Sequence, residues 1–200
     1  ISQCQTSSRT RVNKRPKGSA CPGPQVLAIG TLILSSAHQV RASAARCVAA
    51  VMAGKSLAKV MPEYVKDRDP REFALFKTLV YGSLREWPRL QGLLKQLMAK
   101  PLKEKDRDIA ALLALGIHQL SELRIPPHAA VSETVSATQA LGKGWAKGLV
   151  NGVLRNYQRR AEALERALTP AEKLALPDWL LDRFTKDWPD HIEPLAAAAR

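Results

Sequence analysis

Cysteine and aromatic residues are scarce in this 200-residue chain, which contains three cysteines and only 5% Phe, Tyr and Trp. Cys4, Cys21 and Cys47 form no Cys-x-x-Cys pair and are odd in number. This pattern argues against a disulfide framework and against a zinc site built from paired cysteines. Free thiols are typical of a reducing compartment, so we expect a cytoplasmic protein.

Long apolar runs are also lacking. The run VLAIGTLILSSA, residues 26–37, has twelve residues, which is too short to span a bilayer. Basic residues precede it, as in a secretory signal peptide, but it follows Pro22-Gly23-Pro24 and continues into HQVR rather than a small-x-small cleavage site. We therefore expect neither secretion nor a membrane partner.

Acidic residues are missing from residues 1–40, which hold five Lys or Arg. Residues 41–160 hold 21 basic and 10 acidic residues, whereas residues 161–200 hold 5 basic and 8 acidic ones. The net charge of +13 predicts a polyanionic partner, and the central block is the part expected to bind it. The alternative is a basic protein, soluble or ribosome-associated, whose charge has no specific ligand.

No alternating strand pattern is evident, and from about Val40 onward the apolar spacing predicts helices throughout. Asp69, Pro70 and Glu72 have the order of a capping side chain, a first-turn proline and a first-turn acid, which predicts a helix N-terminus. Pro126-Pro127 and the GKG turn at residues 142–144 separate later helices. Short loops and long apolar stripes predict an all-α fold, a compact bundle of about seven helices.

Composition divides the chain into three predicted segments. Residues 1–38 form a basic extension without helical periodicity, which we expect to be disordered. Residues 39–168 contain the helical bundle. Residues 169–200 have an acidic bias and two short proline-started helical patterns, typical of a linker or the start of another domain. The chain does not begin with methionine and ends in LAAAAR, so we expect a piece of a longer protein.

The stretch KGLVNGVLRN, residues 147–156, has helical apolar spacing but contains two glycines. Gly148 and Gly152 are four residues apart and share a helix face, which favours the close approach of a neighbouring helix. The alternative is that they leave the backbone open to RNA. Polar side chains also recur every four residues on this helix, as a ridge of Lys147, Asn151, Arg155 and Arg159. The ridge is either a solvated face or a phosphate-binding one, and the charge of the central block favours phosphate.

His128 and Glu133 suggest a metal or acid–base site, but a spacing of five residues does not align them on one helix face and no second ligand pair accompanies them. We expect a structural motif instead. His128 would lie at a helix start, and Glu133 would accept hydrogen bonds from backbone, Asn151 or Trp145. Cys47 falls on an apolar helix face and is expected in the core.

Several of these motifs together resemble a known family. RIPPHAAVSETV (residues 124–135) followed by KGLVNGVLRN resembles the NusB-like RNA-binding domain, in the version at the N-terminus of bacterial ribosomal RNA 5-methylcytosine methyltransferases of the RsmB family. VYGSLREWPRLQGLLKQLMAKPL (residues 80–102) is similar to that family as well, and LPDWLLDRF (residues 176–184) looks like its segment that leads to the catalytic part. The resemblance covers roughly residue 41 to the C-terminus.

The resemblance implies RNA, expected to be ribosomal RNA, as the partner, and a C-terminal methyltransferase domain that modifies small-subunit RNA with S-adenosylmethionine. Methyl transfer to a pyrimidine C5 needs a cysteine nucleophile and a glycine-rich turn after a strand. Neither pattern occurs here, because AGKS at residues 53–56 has Ala49 where a phosphate-binding loop needs glycine and no strand precedes it. We therefore expect no catalytic, cofactor or metal site in this chain.

The resemblance also implies that basic residues of the first helix contact RNA. Arg41 and Arg46 of that helix therefore join the cations of the ridge as candidates. The candidate RNA-binding residues are then Arg41, Arg46, Lys100, Lys103, Lys105, Lys143, Lys147, Arg155 and Arg159. A free-standing transcription antitermination factor of the NusB type, which binds RNA and a ribosomal protein, is the alternative function. A helical interaction module with incidental charge is the third.

Overall fold

The computed structural model describes the backbone of residues 26–65 and 69–198, and the side chains of residues 37–64 and 69–198. These residues form the helices α1 (Val26–Met52), α2 (Leu57–Val65), α3 (Pro70–Arg85), α4 (Trp87–Leu97), α5 (Arg107–Ser121), α6 (Pro127–Ala140), α7 (Lys147–Arg166), α8 (Pro170–Lys173), α9 (Asp178–Asp187) and α10 (Ile192–Ala198). Three 3₁₀ turns occur at Glu104–Asp106, Gly144–Ala146 and Pro189–His191. Every regular element in the described ranges is helical, which confirms the all-α prediction: α1–α7 form the bundle and α8–α10 follow it.

Helix α1 begins earlier than the apolar stripe predicted. It starts at Val26 rather than near Val40, so the disorder expected up to residue 38 does not hold for the helical backbone of residues 26–38. The run contains no proline that would interrupt backbone hydrogen bonding. Residues 1–25 lie outside the described part of the chain, and the three-segment division stays a prediction.

Helix α5 is the centre of the bundle. It packs against α1, α3, α4, α6 and α7, and all residues from Ala111 to Gln119 are buried. A helix that is apolar all round is typical of such a central position. Its neighbours therefore enclose the middle of this helix on every face.

Helix ends follow local sequence rules. Asp69 accepts a hydrogen bond at 2.8 Å from the backbone N–H of Arg71, and Pro70 is the first residue of α3, as predicted. Thr169 and Glu172 form a reciprocal capping box at α8.

Arg89 fastens α4 to α5 and α7. Its guanidinium donates to Glu165 at 2.6 and 3.0 Å and to Glu122 at 3.0 Å, and it lies 3.3 Å from a Glu86 oxygen. The Tyr157 hydroxyl donates to Glu165 at 3.1 Å. Burial and this carboxylate raise the pKa of Tyr157 to about 12, so the phenol stays protonated and keeps its hydrogen bond. The network fixes the position of α7, the helix that carries the basic ridge.

In the described part of the chain, no helix combines the length and apolar character needed to cross a bilayer.

Candidate RNA-binding surface

The ridge of α7 is exposed to solvent. Lys147, Asn151, Arg155 and Arg159 are all exposed, whereas Val150, Val153, Leu154 and Tyr157 of the same helix are buried. Among the described residues, no carboxylate pairs with the three cations of the ridge. The helical backbone is distorted at Arg160, with φ −127° and ψ 15°, directly after the ridge ends. The ridge is therefore a face of uncompensated positive charge.

Gly148 and Gly152 lie on this exposed side of α7. A Cβ placed on either would meet nothing within 4 Å. The prediction that a neighbouring helix packs against them is wrong. The close approach occurs instead at Gly116 of α5, where a Cβ would lie 2.7 Å from a methyl of Leu154 on α7. Helix α7 turns its large apolar residues toward α5, which leaves its own glycines open at the surface.

A second group of cations lies in the segment between α4 and α5. Lys100, Lys103 and Lys105 are exposed, and no ion pair involves their side chains within the described residues. The nearby acids are engaged elsewhere, because Glu104 pairs with Arg107 at 3.0 Å and Asp106 and Asp108 pair with Lys143. We call this segment, residues 98–106, the lysine loop; its lysines are left without compensating charge.

Lys143 holds the lysine loop against the turn that precedes α7. Its ammonium lies 2.6 Å from Asp108 Oδ1 and 3.0 Å from Asp106 Oδ1, and it also donates to the carbonyl oxygen of Lys105. Burial alone would lower the pKa of Lys143, but the two carboxylates raise it. The charge of Lys143 is thus compensated by these acids, which argues against its predicted role in binding phosphate.

The two arginines of α1 are not free cations either. Arg41 is only 3% exposed and donates to Gln119 Oε1 at 2.8 Å and to the carbonyl of Ala37 at 2.9 Å. Its burial lowers its pKa, an effect that Glu133 opposes. Arg46 is exposed but donates to the carbonyl of Ala140 at 2.6 Å, at the C-terminus of α6. Arg41 therefore stabilises the core, contrary to its predicted RNA contact.

Within the predicted structural motif, the position of His128 agrees with the structure, whereas the expected partners of Glu133 do not. His128 is exposed in the first turn of α6, as expected. Glu133 is buried but faces α1, with a carboxylate oxygen 4.0 Å from His38 Nδ1. Its expected partners Asn151 and Trp145 are exposed instead. Glu133 therefore links α6 to α1 and not to α7.

Cys47 is the one cysteine within the described residues. Cys47 is buried in the core, as predicted, and burial together with Glu63 raises its pKa to about 11. A thiol with such a pKa is protonated at neutral pH and is a poor nucleophile. No group of three or more potential metal ligands occurs within the described residues. Cys4 and Cys21 lie outside them.

Sequence reasoning missed Trp145. Its indole is 59% exposed, in the 3₁₀ turn Gly144–Ala146 directly before α7. Together with the lysine loop it lines an open groove of about 670 Å³. The signal was present in the sequence as GKGWAK, a large aromatic residue flanked by glycines and lysines.

Comparison with known proteins agrees with this architecture. The NusB family profile matches residues 38–159, which include the lysine loop, Trp145 and the ridge. The chain belongs to the NusB family. The match runs from the middle of α1 into α7 and includes the motifs at residues 124–135 and 147–156 that predicted this family.

Curated relatives of this NusB-family chain share one description, ribosomal RNA small subunit methyltransferase B. The protein from Pseudomonas syringae pv. tomato is 43% identical over 79% of this chain and 36% of its own length. Those from Pectobacterium carotovorum subsp. carotovorum and Pseudomonas putida are 39% and 43% identical over 82% and 79% of this chain. The chain spans between 36% and 39% of the length of these relatives.

Proposed function

We propose that this NusB-family chain is the RNA-binding part of a cytoplasmic methyltransferase that modifies small-subunit ribosomal RNA. The observation that carries the proposal is the set of uncompensated cations on α7 and the lysine loop, inside the region that matches the NusB family. Phosphate groups are the ligands that such a surface attracts, because each contact releases condensed counterions. The names of the curated relatives support ribosomal RNA as the target.

Methyl transfer would belong to a domain outside the residues of this chain. Such a domain would supply S-adenosylmethionine chemistry, but the described residues do not fit that cofactor. AGKS forms the turn between α1 and α2, where Gly54 has φ +93° and no strand precedes it. The Cys47 thiol is buried. We therefore assign RNA binding to the described residues of this chain, and we assign no step of the methyl transfer to them. The C-terminal segment α8–α10 would lead toward that domain.

The experiment compares two double variants of the chain. Arg155→Glu with Arg159→Glu reverses two charges of the ridge, whereas Lys55→Glu with Lys59→Glu reverses two exposed charges near α2, which packs against α1 and not α7. Fluorescence anisotropy with a labelled single-stranded RNA measures affinity at several salt concentrations. The ridge variant should bind more weakly and lower the logarithmic salt slope by about 1.4, from about 0.7 for each lost phosphate contact. The α2 variant should change less. Equal affinities and slopes for both double variants and the parent would reject the ridge as the RNA surface.

A further inference from the structure

The backbone on both sides of Trp145 is anchored, although the indole ring is exposed. Ala146, the next residue, is fully buried, and its N–H donates to the carbonyl of Lys143 at 2.9 Å. Lys143 is in turn fixed by Asp108 and Asp106. The anchored turn limits the backbone freedom that is lost when a ligand binds to the indole.

Two glycines close to Trp145 in sequence leave open space at the surface. These are Gly144 and Gly148, and a Cβ on either would meet no atom within 4 Å. The groove beside the ring has an apolar floor that includes Leu97, Pro101 and Leu149. A flat ring of the size of a nucleobase therefore has room beside the indole.

The rim of the groove is cationic. Lys100, Lys103 and Lys105 line it, and Lys147 follows Trp145 by two residues. The one acid in the lining, Asp106, is paired with Lys143 at 3.0 Å. An apolar platform surrounded by unpaired lysines matches a single-stranded nucleic acid, whose bases stack on aromatic rings while its phosphates contact cations.

A comparison with the exposed Trp179 shows what distinguishes Trp145. Trp179 is 68% exposed on α9, next to Asp178 and one helical turn from Asp182. Those acids would repel a phosphate backbone. Trp145 is also exposed, but lysines rather than acids lie near it.

We infer that Trp145 stacks on the base of an unpaired nucleotide, while Lys100, Lys103 and Lys147 contact the adjacent phosphates. This inference rests on the proposed RNA-binding function and narrows it to single-stranded RNA, because the faces of bases inside a duplex are covered by their neighbours.

The test uses Trp145→Ala, Trp145→Phe and the control Trp179→Ala in the full chain, with a single-stranded RNA and a duplex of the same sequence. Trp145→Ala should weaken binding of the single strand about 5- to 150-fold. Its salt slope should stay that of the parent, since no phosphate contact is lost. Trp145→Phe should retain most of the affinity, Trp179→Ala should retain all of it, and duplex binding should change little. Circular dichroism would verify that each variant is folded.

The outcomes separate this inference from the proposed function. A parent chain that binds RNA with a steep salt slope, but equally well with alanine at position 145, would overturn the stacking role and leave RNA binding intact. Equal losses for single strand and duplex would also overturn it. Unchanged RNA affinity with lost association between the variant and a methyltransferase domain would assign Trp145 to a protein contact instead. Failure of the parent to bind any RNA would reject the proposed function itself.

Discussion

The ammonium of Lys143 lies 2.6 Å from the carboxylate of Asp108, 35 residues earlier in the chain. This pair joins the turn before α7 to the start of α5 and so places Trp145 and the lysine loop at one groove. The same contact removes Lys143 from the set of cations available to a ligand. The ion pair of Lys143 with Asp108 thus affects the position of the turn before α7 and also lowers the positive charge of the candidate surface.

We predict that Lys143→Met destabilises the fold by about 1 kcal/mol, because charged hydrogen bonds are lost and Asp106 and Asp108 lose their shared cation. Only 19% of the Lys143 side chain is exposed, so water compensates the loss only in part. Urea unfolding measures the change. Lys105→Met is the matched control, since this lysine lies in the same loop and its exposed side chain has no ion pair among the described residues. Equal stabilities of the two variants would contradict the role of Lys143.

A second prediction concerns two glycines in helices that differ in what surrounds them. Gly152→Ala should stabilise the chain by about 0.5 to 1 kcal/mol, because alanine is the better helix former and its Cβ meets nothing within 4 Å. Gly116→Ala should instead destabilise it by about 1 to 3 kcal/mol through overpacking against the fully buried Leu154. Thermal and urea unfolding of both variants test the contrast. Stabilisation by both substitutions would show that Leu154 can move aside.

We also predict that Arg89→Met lowers the free energy of unfolding by about 2 kcal/mol. The substitution leaves Glu86, Glu122 and Glu165 near one another without their cation, although the 45% exposure of Glu122 lets water reduce the cost. Arg183→Met is the control, because its pair with Asp187 at 2.6 Å lies on the exposed face of α9. That variant should unfold nearly like the parent. A comparable loss in both variants would indicate that the network around Arg89 contributes no more than a surface pair.

The helices could be predicted from the sequence because their signals are local. The order of Asp69, Pro70 and Glu72, for example, predicted the N-terminus of α3 at Asp69. The late start predicted for α1 has a physical reason too. Residues 26–38 are compatible with helix but lack an amphipathic stripe, so the start of periodicity was mistaken for the start of the helix.

The candidate site could be predicted only in part, because it depends on contacts between distant residues. In the sequence, Lys143 and Lys147 are both lysines of the same short segment, and nothing there tells which one is free. Only the fold pairs Lys143 with Asp108. Likewise, a glycine in a helical pattern does not reveal which neighbour it faces. The space beside Gly148 is open, whereas Leu154 occupies the space beside Gly116. This difference is visible only once α5 is packed against α7.

The last prediction concerns pH and His118. This residue is 5% exposed in α5, and its ring lies against Gly82, where a Cβ would be 2.2 Å from Nε2. Burial lowers the pKa of His118 below the ordinary value of 6.5, while Glu122 and Glu86 partly oppose the shift and Arg89 adds to it.

A lowered pKa in the folded state means that the unfolded chain binds the proton more tightly. The stability that neutral His118 contributes is therefore fully present above about pH 6.5 and is lost as the pH falls toward the lowered pKa of the folded state. Urea unfolding at pH values on both sides of this range should show the decline. His118→Gln should flatten it, even if the variant is less stable at neutral pH, because glutamine does not titrate. His128→Gln, which changes an exposed histidine of α6, should keep the decline of the parent. An undiminished decline in His118→Gln would assign the pH dependence to other groups, since the buried imidazole would then have no part in it.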